Sequence, residues 1–110
     1  ATPHCVMAGL AGLLDLALGA EMQARHGGFR LLLIAPPPVQ ETGLLAADFW
    51  GGAEKSRALA PLLAGLARAR GVGFLDAGQV VSVSPVDGVH LDVAAHRTLG
   101  EAVAQAVQAL

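Results

Sequence analysis

The stretch Ser84-Pro85-Val86-Asp87-Gly88-Val89-His90-Leu91 holds the residues best suited to chemistry. Asp87 and His90 stand three apart on a turn that Asp-Gly favours, since glycine accepts a left-handed backbone and aspartate bonds its own main chain. Such a turn can bring a carboxylate to Nδ1 of the imidazole and leave Nε2 to take a proton from a nucleophile. The same spacing also occurs where the aspartate merely closes a turn and the histidine merely leads into a helix, so both readings stand on spacing alone. Ser84 invites a local Ser-Asp-His reading, but no strand-to-helix elbow and no oxyanion donors accompany it, and a turn serine is the competing role. His96 follows His90 by six, off the i, i+4 spacing of helical metal ligands, and reads as a polar helix-face residue. His4 and Cys5 are adjacent but have no ligand set around them. His26 reads as a helix C-terminal residue, and Asp76 as a structural hydrogen-bonding residue at a strand end. Phe49 and Trp50 either pack at the end of a sheet or on a neighbouring subunit, or wall an apolar pocket with Val89.

The elements that must position these residues are legible from periodicity. Leu10, Leu13, Leu14, Ala17 and Leu18 fall on one helical face within residues 6–25, stopped by Gly27-Gly28. Residues 29–35, FRLLLIA, lie between Gly-Gly and three prolines and predict a strand buried on both faces of a parallel sheet. A loop over residues 39–53 carries Phe49 and Trp50. Leu59, Leu62, Leu63 and Leu66 predict a helix over residues 54–70, with Pro61 kinking it or marking a late start. Residues 72–76 predict a second strand, which completes a βαβ unit. Residues 79–83 suggest a further short extended piece. Asp92 is placed to cap a last helix over residues 93–109, whose stripe is Leu99, Val103, Ala106, Val107 and Leu110. In such open α/β sheets ligands bind beyond the carboxyl ends of the strands, here the loops after Ala35 and Asp76.

Composition narrows the function classes. The chain has 110 residues, 54% hydrophobic and 15% charged, enough apolar surface to exclude disorder and enough length for one small domain. Its seven Lys and Arg are scattered and the net charge is −2, which argues against nucleic acid. One cysteine excludes an internal disulfide framework and a multi-cysteine zinc site. No apolar run is long enough to cross a membrane, and no secretory signal stands at Ala1, so a cytoplasmic location is expected. Two or three strands make a thin sheet for so apolar a chain, and its edge and helix faces need cover.

From Phe29 onward the chain resembles the SGNH/GDSL hydrolases, in particular their arylesterase-like branch. The resemblance is carried by Leu31-Leu32-Leu33-Ile34-Ala35-Pro36-Pro37-Pro38, Gly51-Gly52-Ala53-Glu54-Lys55-Ser56, Phe74-Leu75-Asp76-Ala77-Gly78 and Asp87-Gly88-Val89-His90-Leu91, in that order. It implies a three-layer α/β/α sandwich with a parallel sheet, and ester hydrolysis through an acyl-serine without a metal or organic cofactor. It makes His90 the general base and Asp87 its orienting carboxylate, and it also allows acyl transfer to alcohols or peroxide. The family's G-D-S block and its G-x-N-D block are absent, and the chain contains no asparagine. Residues 1–110 are therefore expected to form the C-terminal half of a single domain. A separate N-terminal chain would bring the serine and the oxyanion donors, and the assembled enzyme, acting on a small ester, would be a homo-oligomer. The alternative is a non-catalytic binding or assembly module that keeps the half-fold as an interaction surface.

Overall fold

The computed structural model describes residues 2–110. Helix α1 (Pro3–Leu18) begins earlier than its apolar periodicity predicts, because Thr2 caps it by accepting the Cys5 N–H at 3.1 Å and Pro3 sits at the first helical position. At Gly19 the backbone turns extended (φ −63°, ψ 153°), so the single helix expected over residues 6–25 is two, with α2 at Ala20–Arg25. Strand β1 is Leu32–Ala35, shorter than the seven residues expected. The Phe29 N–H is taken by the Gln23 side chain at 2.9 Å and is lost to the sheet. Helix α3 (Gly52–Arg70) runs unbroken through Pro61, and strand β2 is Gly73–Asp76. The extended piece expected over residues 79–83 is absent. Asp76 accepts the Gly78 N–H at 3.0 Å and folds Ala77–Gln79 into a 3-10 turn instead. Helix α4 (Val93–Gln108) is capped by Asp92, which accepts the Ala95 N–H at 2.8 Å.

β1 and β2 pair in parallel, Leu32 opposite Gly73 and Ala35 opposite Asp76, with α3 as the crossover. Leu33 and Ala35 point to one face, where they join Leu14 of α1 and Leu63, Leu66 and Ala67 of α3 in the buried core. Burying a leucine of this kind contributes about 1.5–3 kcal/mol. The opposite face receives the end of α4, since a side chain at Gly73 would run into Leu110. An ion pair, Arg70 Nε to Asp15 Oδ1 at 2.7 Å, ties α3 to α1 at the surface.

Burial departs from the expected stripes. Leu13 is 64% exposed, because it lies about 100° around α1 from the buried Leu14. Val107 is 52% exposed, and α4 has no fully buried residue. Ile34 is 38% exposed, so β1 is covered well on one face only within this chain. Among the described residues no helix is long and apolar enough to cross a membrane.

Candidate active site

The carboxyl ends of β1 and β2 feed two segments that meet. After β1, three prolines remove the N–H groups that would continue the ladder, and the chain leaves as a loop. After the turn at Ala77–Gln79, buried Val81 and Val83 anchor the chain that leads into residues 84–90. The two segments are joined by backbone bonds, Gln40 N–H to the Gly88 carbonyl at 2.7 Å and Leu44 N–H to the Val86 carbonyl at 3.2 Å.

Close approach explains two glycines. Gly88 has φ +74°, and a Cβ there would lie 1.9 Å from the Gln40 carbonyl oxygen. Gly43 has φ +71°, and its Cβ would lie 2.0 Å from the Val86 carbonyl oxygen. Both positions need the left-handed backbone and the missing side chain together.

The turn itself is closed by Ser84 N–H donating to the His90 carbonyl at 2.7 Å and Gly88 N–H donating to the Ser84 carbonyl at 2.8 Å. Asp87 Oδ1 accepts the N–H groups of Val89 at 2.8 Å and His90 at 2.9 Å. Its other oxygen, Oδ2, stands 2.5 Å from His90 Nδ1. An ionised carboxylate only accepts, so Nδ1 carries the proton of the neutral ring and Nε2 is the basic nitrogen. The His90 side chain is 76% exposed and the Asp87 side chain 21% exposed, so the ring projects outward from a shielded carboxylate. The backbone bonds from His90 and Val89, then the bond to the ring, lower the Asp87 pKa from 3.8 to about 2. The site therefore holds an acceptor that stays ionised at neutral pH behind an imidazole presented to solvent.

The other candidates fall apart from this pair. Ser84 Oγ accepts the Val86 N–H at 3.2 Å, so it stabilises the turn, and the local Ser-Asp-His constellation is not assembled. His96 lies exposed in the first turn of α4 and His4 and Cys5 in the first turn of α1. His26 caps the end of α2 and meets the Phe29 ring edge-on with centroids 6.1 Å apart. Among the described residues no three His, Cys, Asp or Glu side chains converge as a metal site would require. Val89 sits within the turn, half-buried. Phe49 is 38% exposed and Trp50 84% exposed, at the tip of the loop that precedes α3.

That loop and the start of α3 hold two further polar side chains that tie the segment together. The Glu41 carboxylate accepts the Gly51 N–H, and the Ser56 hydroxyl accepts the Val39 N–H at 2.9 Å while donating to the Ala53 carbonyl. Gly52 stands at a close approach, since a Cβ there would lie 3.2 Å from Val39 Cγ2, whereas nothing local to Glu41 announces a partner ten residues away.

Solved structures resemble the chain over nearly its whole length. A carbohydrate acetylesterase from Sinorhizobium meliloti matches 99% of this chain at 31% identity with a TM-score of 0.87. A second carbohydrate acetylesterase family member from the same organism matches 97% at 35% identity and the same TM-score. The aryl esterase of M. smegmatis matches 100% at 31% identity with a TM-score of 0.86. The chain belongs to the SGNH/GDSL hydrolase family. It corresponds to the C-terminal half of these SGNH esterases and spans about half their length, 53%, 52% and 53% in turn. The α/β architecture with parallel strands is the one these SGNH structures share with it. No family model and no curated protein matches the chain.

Proposed function

We propose that this SGNH chain supplies the base and its orienting carboxylate to a serine ester hydrolase. Its N-terminal half, carried on a separate fragment, brings the nucleophilic serine and the oxyanion donors. The observation that carries this reading is the Asp87 to His90 pair, with Nδ1 engaged at 2.5 Å and the ring projecting outward. The half-length match and the thinly covered second face of β1 support the need for a further fragment.

In the assembled site, His90 Nε2 takes the serine proton as the oxygen attacks the ester carbonyl. The resulting imidazolium is stabilised by Asp87, which stays ionised. His90 then returns the proton to the leaving alcohol, giving an acyl-serine. Water enters, loses a proton to His90 and releases the acid. An alcohol or peroxide in place of that water would give acyl transfer. Phe49, Trp50 and Val89 form one wall of the ester pocket. The relatives named as an acetylesterase and an aryl esterase favour a small acyl group. The exposed Leu44 and Trp50 also offer a surface for contacts between copies of the assembled enzyme.

The test is hydrolysis of p-nitrophenyl acetate by the assembled enzyme. His90→Ala should lower kcat by about 10³-fold or more, with little change in thermal stability. His96→Ala should be nearly silent. Full activity in His90→Ala would overturn the assignment. An assembled protein without esterase activity would leave a binding module as the better account.

A further inference from the structure

The loop between β1 and α3 is closed at both ends. Its start is held to α3, since Ser56 takes the Val39 N–H and a Cβ at Gly52 would stand 3.2 Å from Val39 Cγ2. One residue on, Gln40 N–H binds the Gly88 carbonyl inside the Asp87–His90 turn. The next residue, Glu41, reaches the other end of the loop, where its carboxylate accepts the N–H of Gly51, directly after Phe49-Trp50. The tip is also bonded within its own loop, through Phe49 N–H to the Leu45 carbonyl at 3.2 Å and Trp50 N–H to the Ala47 carbonyl at 3.4 Å, and to the start of α3, whose Gly52 N–H donates to the Phe49 carbonyl at 2.7 Å. A covalent and hydrogen-bonded path of few residues therefore runs from His90 through Gly88, Gln40 and Glu41 to Trp50.

The charge of Glu41 suits its place. Gly51 is the cap residue of α3 and contributes no side-chain bond, so the helix begins without an acceptor of its own. The Glu41 carboxylate, arriving from across the loop, puts a negative charge beside the positive end of a 19-residue helix. A bond to an ionised acceptor is stronger than a neutral one and holds its donor more tightly. Among the described residues Glu41 is the side chain hydrogen-bonded to Gly51, the residue directly after the aromatic tip.

We propose that Glu41 is a positioning residue that sets the Phe49-Trp50 wall at a fixed distance from His90 and so governs which acyl groups the site accepts. This rests on the ester-hydrolase reading above. Glu41 touches neither substrate nor the reacting atoms. It acts through Gly51, and its removal loosens the wall while the Asp87–His90 bond, closed within its own turn, stays in place. Selectivity, carried in KM, should respond, and kcat for the smallest ester should not.

The experiment compares the assembled enzyme with its Glu41→Ala, Glu41→Gln and His90→Ala variants on p-nitrophenyl acetate and p-nitrophenyl butyrate. Glu41→Ala should change the acetate-to-butyrate ratio of kcat/KM by about tenfold through KM, with kcat on acetate within roughly threefold of the parent. Glu41→Gln keeps an acceptor oxygen in the same place and should restore most of the parent ratio. It also serves if the alanine variant does not fold. An unchanged ratio in Glu41→Ala, or equal loss of kcat on both esters in both variants, overturns the positioning role while leaving the hydrolase reading intact. Full activity in His90→Ala overturns the role of His90 as base, and an assembled parent without esterase activity overturns the hydrolase reading itself, whatever Glu41 does.

Discussion

Replacing Gly88 by alanine tests how the Asp87–His90 turn is held. The residue has φ +74°, where an L side chain costs about 1–2 kcal/mol. The new Cβ would lie 1.9 Å from the Gln40 carbonyl oxygen. That is about 1.4 Å inside a close carbon-to-oxygen contact of ~3.3 Å. The two segments must part, and the 2.7 Å bond from Gln40 N–H to the Gly88 carbonyl goes with them, a further ~1 kcal/mol. A shift of about 1 Å at a general base is enough to lower the rate by about 10²-fold. The expected result for the assembled enzyme is a stability loss of about 2–3 kcal/mol, from the strain and the lost bond together, with kcat/KM on p-nitrophenyl acetate down about 10²-fold. Gly71→Ala is the control. It has φ +67° at the end of α3, with nothing within 4 Å of its Cβ. It should cost about 1–2 kcal/mol of stability and leave the rate alone. If Gly88→Ala matched Gly71→Ala in both melting temperature and kcat/KM, the contact with residues 40–44 would have no part in placing His90.

Two further outcomes follow from the same geometry. Folding lowers the Asp87 pKa from 3.8 to about 2, so its contribution to stability is complete above 3.8 and is lost as pH falls toward 2; thermal melts of the parent and Asp87→Asn should converge over that window, and a gap that stays constant would refute the ionic role. Leu63, 2% exposed at the centre of the core, should cost about 2–5 kcal/mol as Leu63→Ala, read by urea unfolding, with no change in the pH dependence of the rate.

The parts of the site legible in the sequence are those closed over a few residues. Asp87 and His90 could be paired from D-x-x-H because three residues and one glycine contain the whole geometry. The βαβ unit was legible because proline and glycine bracket its strands and leucine spacing marks its helix. Long-range closure left no local mark. Gln40 meets Gly88 across 48 residues of chain, and Glu41 meets Gly51 across a loop without periodicity. The misjudged burial has a different cause. A helix stripe tells which residues are apolar, whereas Leu13 and Val107 are exposed because the layers present in this chain touch only part of each helix. The break at Gly19 was concealed because the apolar pattern continues across it while the backbone does not.

The turn from Ser84 to His90 closes upon itself through Ser84 N–H to the His90 carbonyl. Loops of about ten residues close within roughly 10–100 ns, at small entropic cost. Asp87 and His90 can therefore meet in the first moments of folding, long before β1 finds β2. The bond from Gln40 to Gly88 has to wait for the strands to align, since both segments are carried to it by the sheet. The order of events is then set by chain separation: the Asp87–His90 pair is closed early, and its position relative to the segment that follows β1 is fixed late.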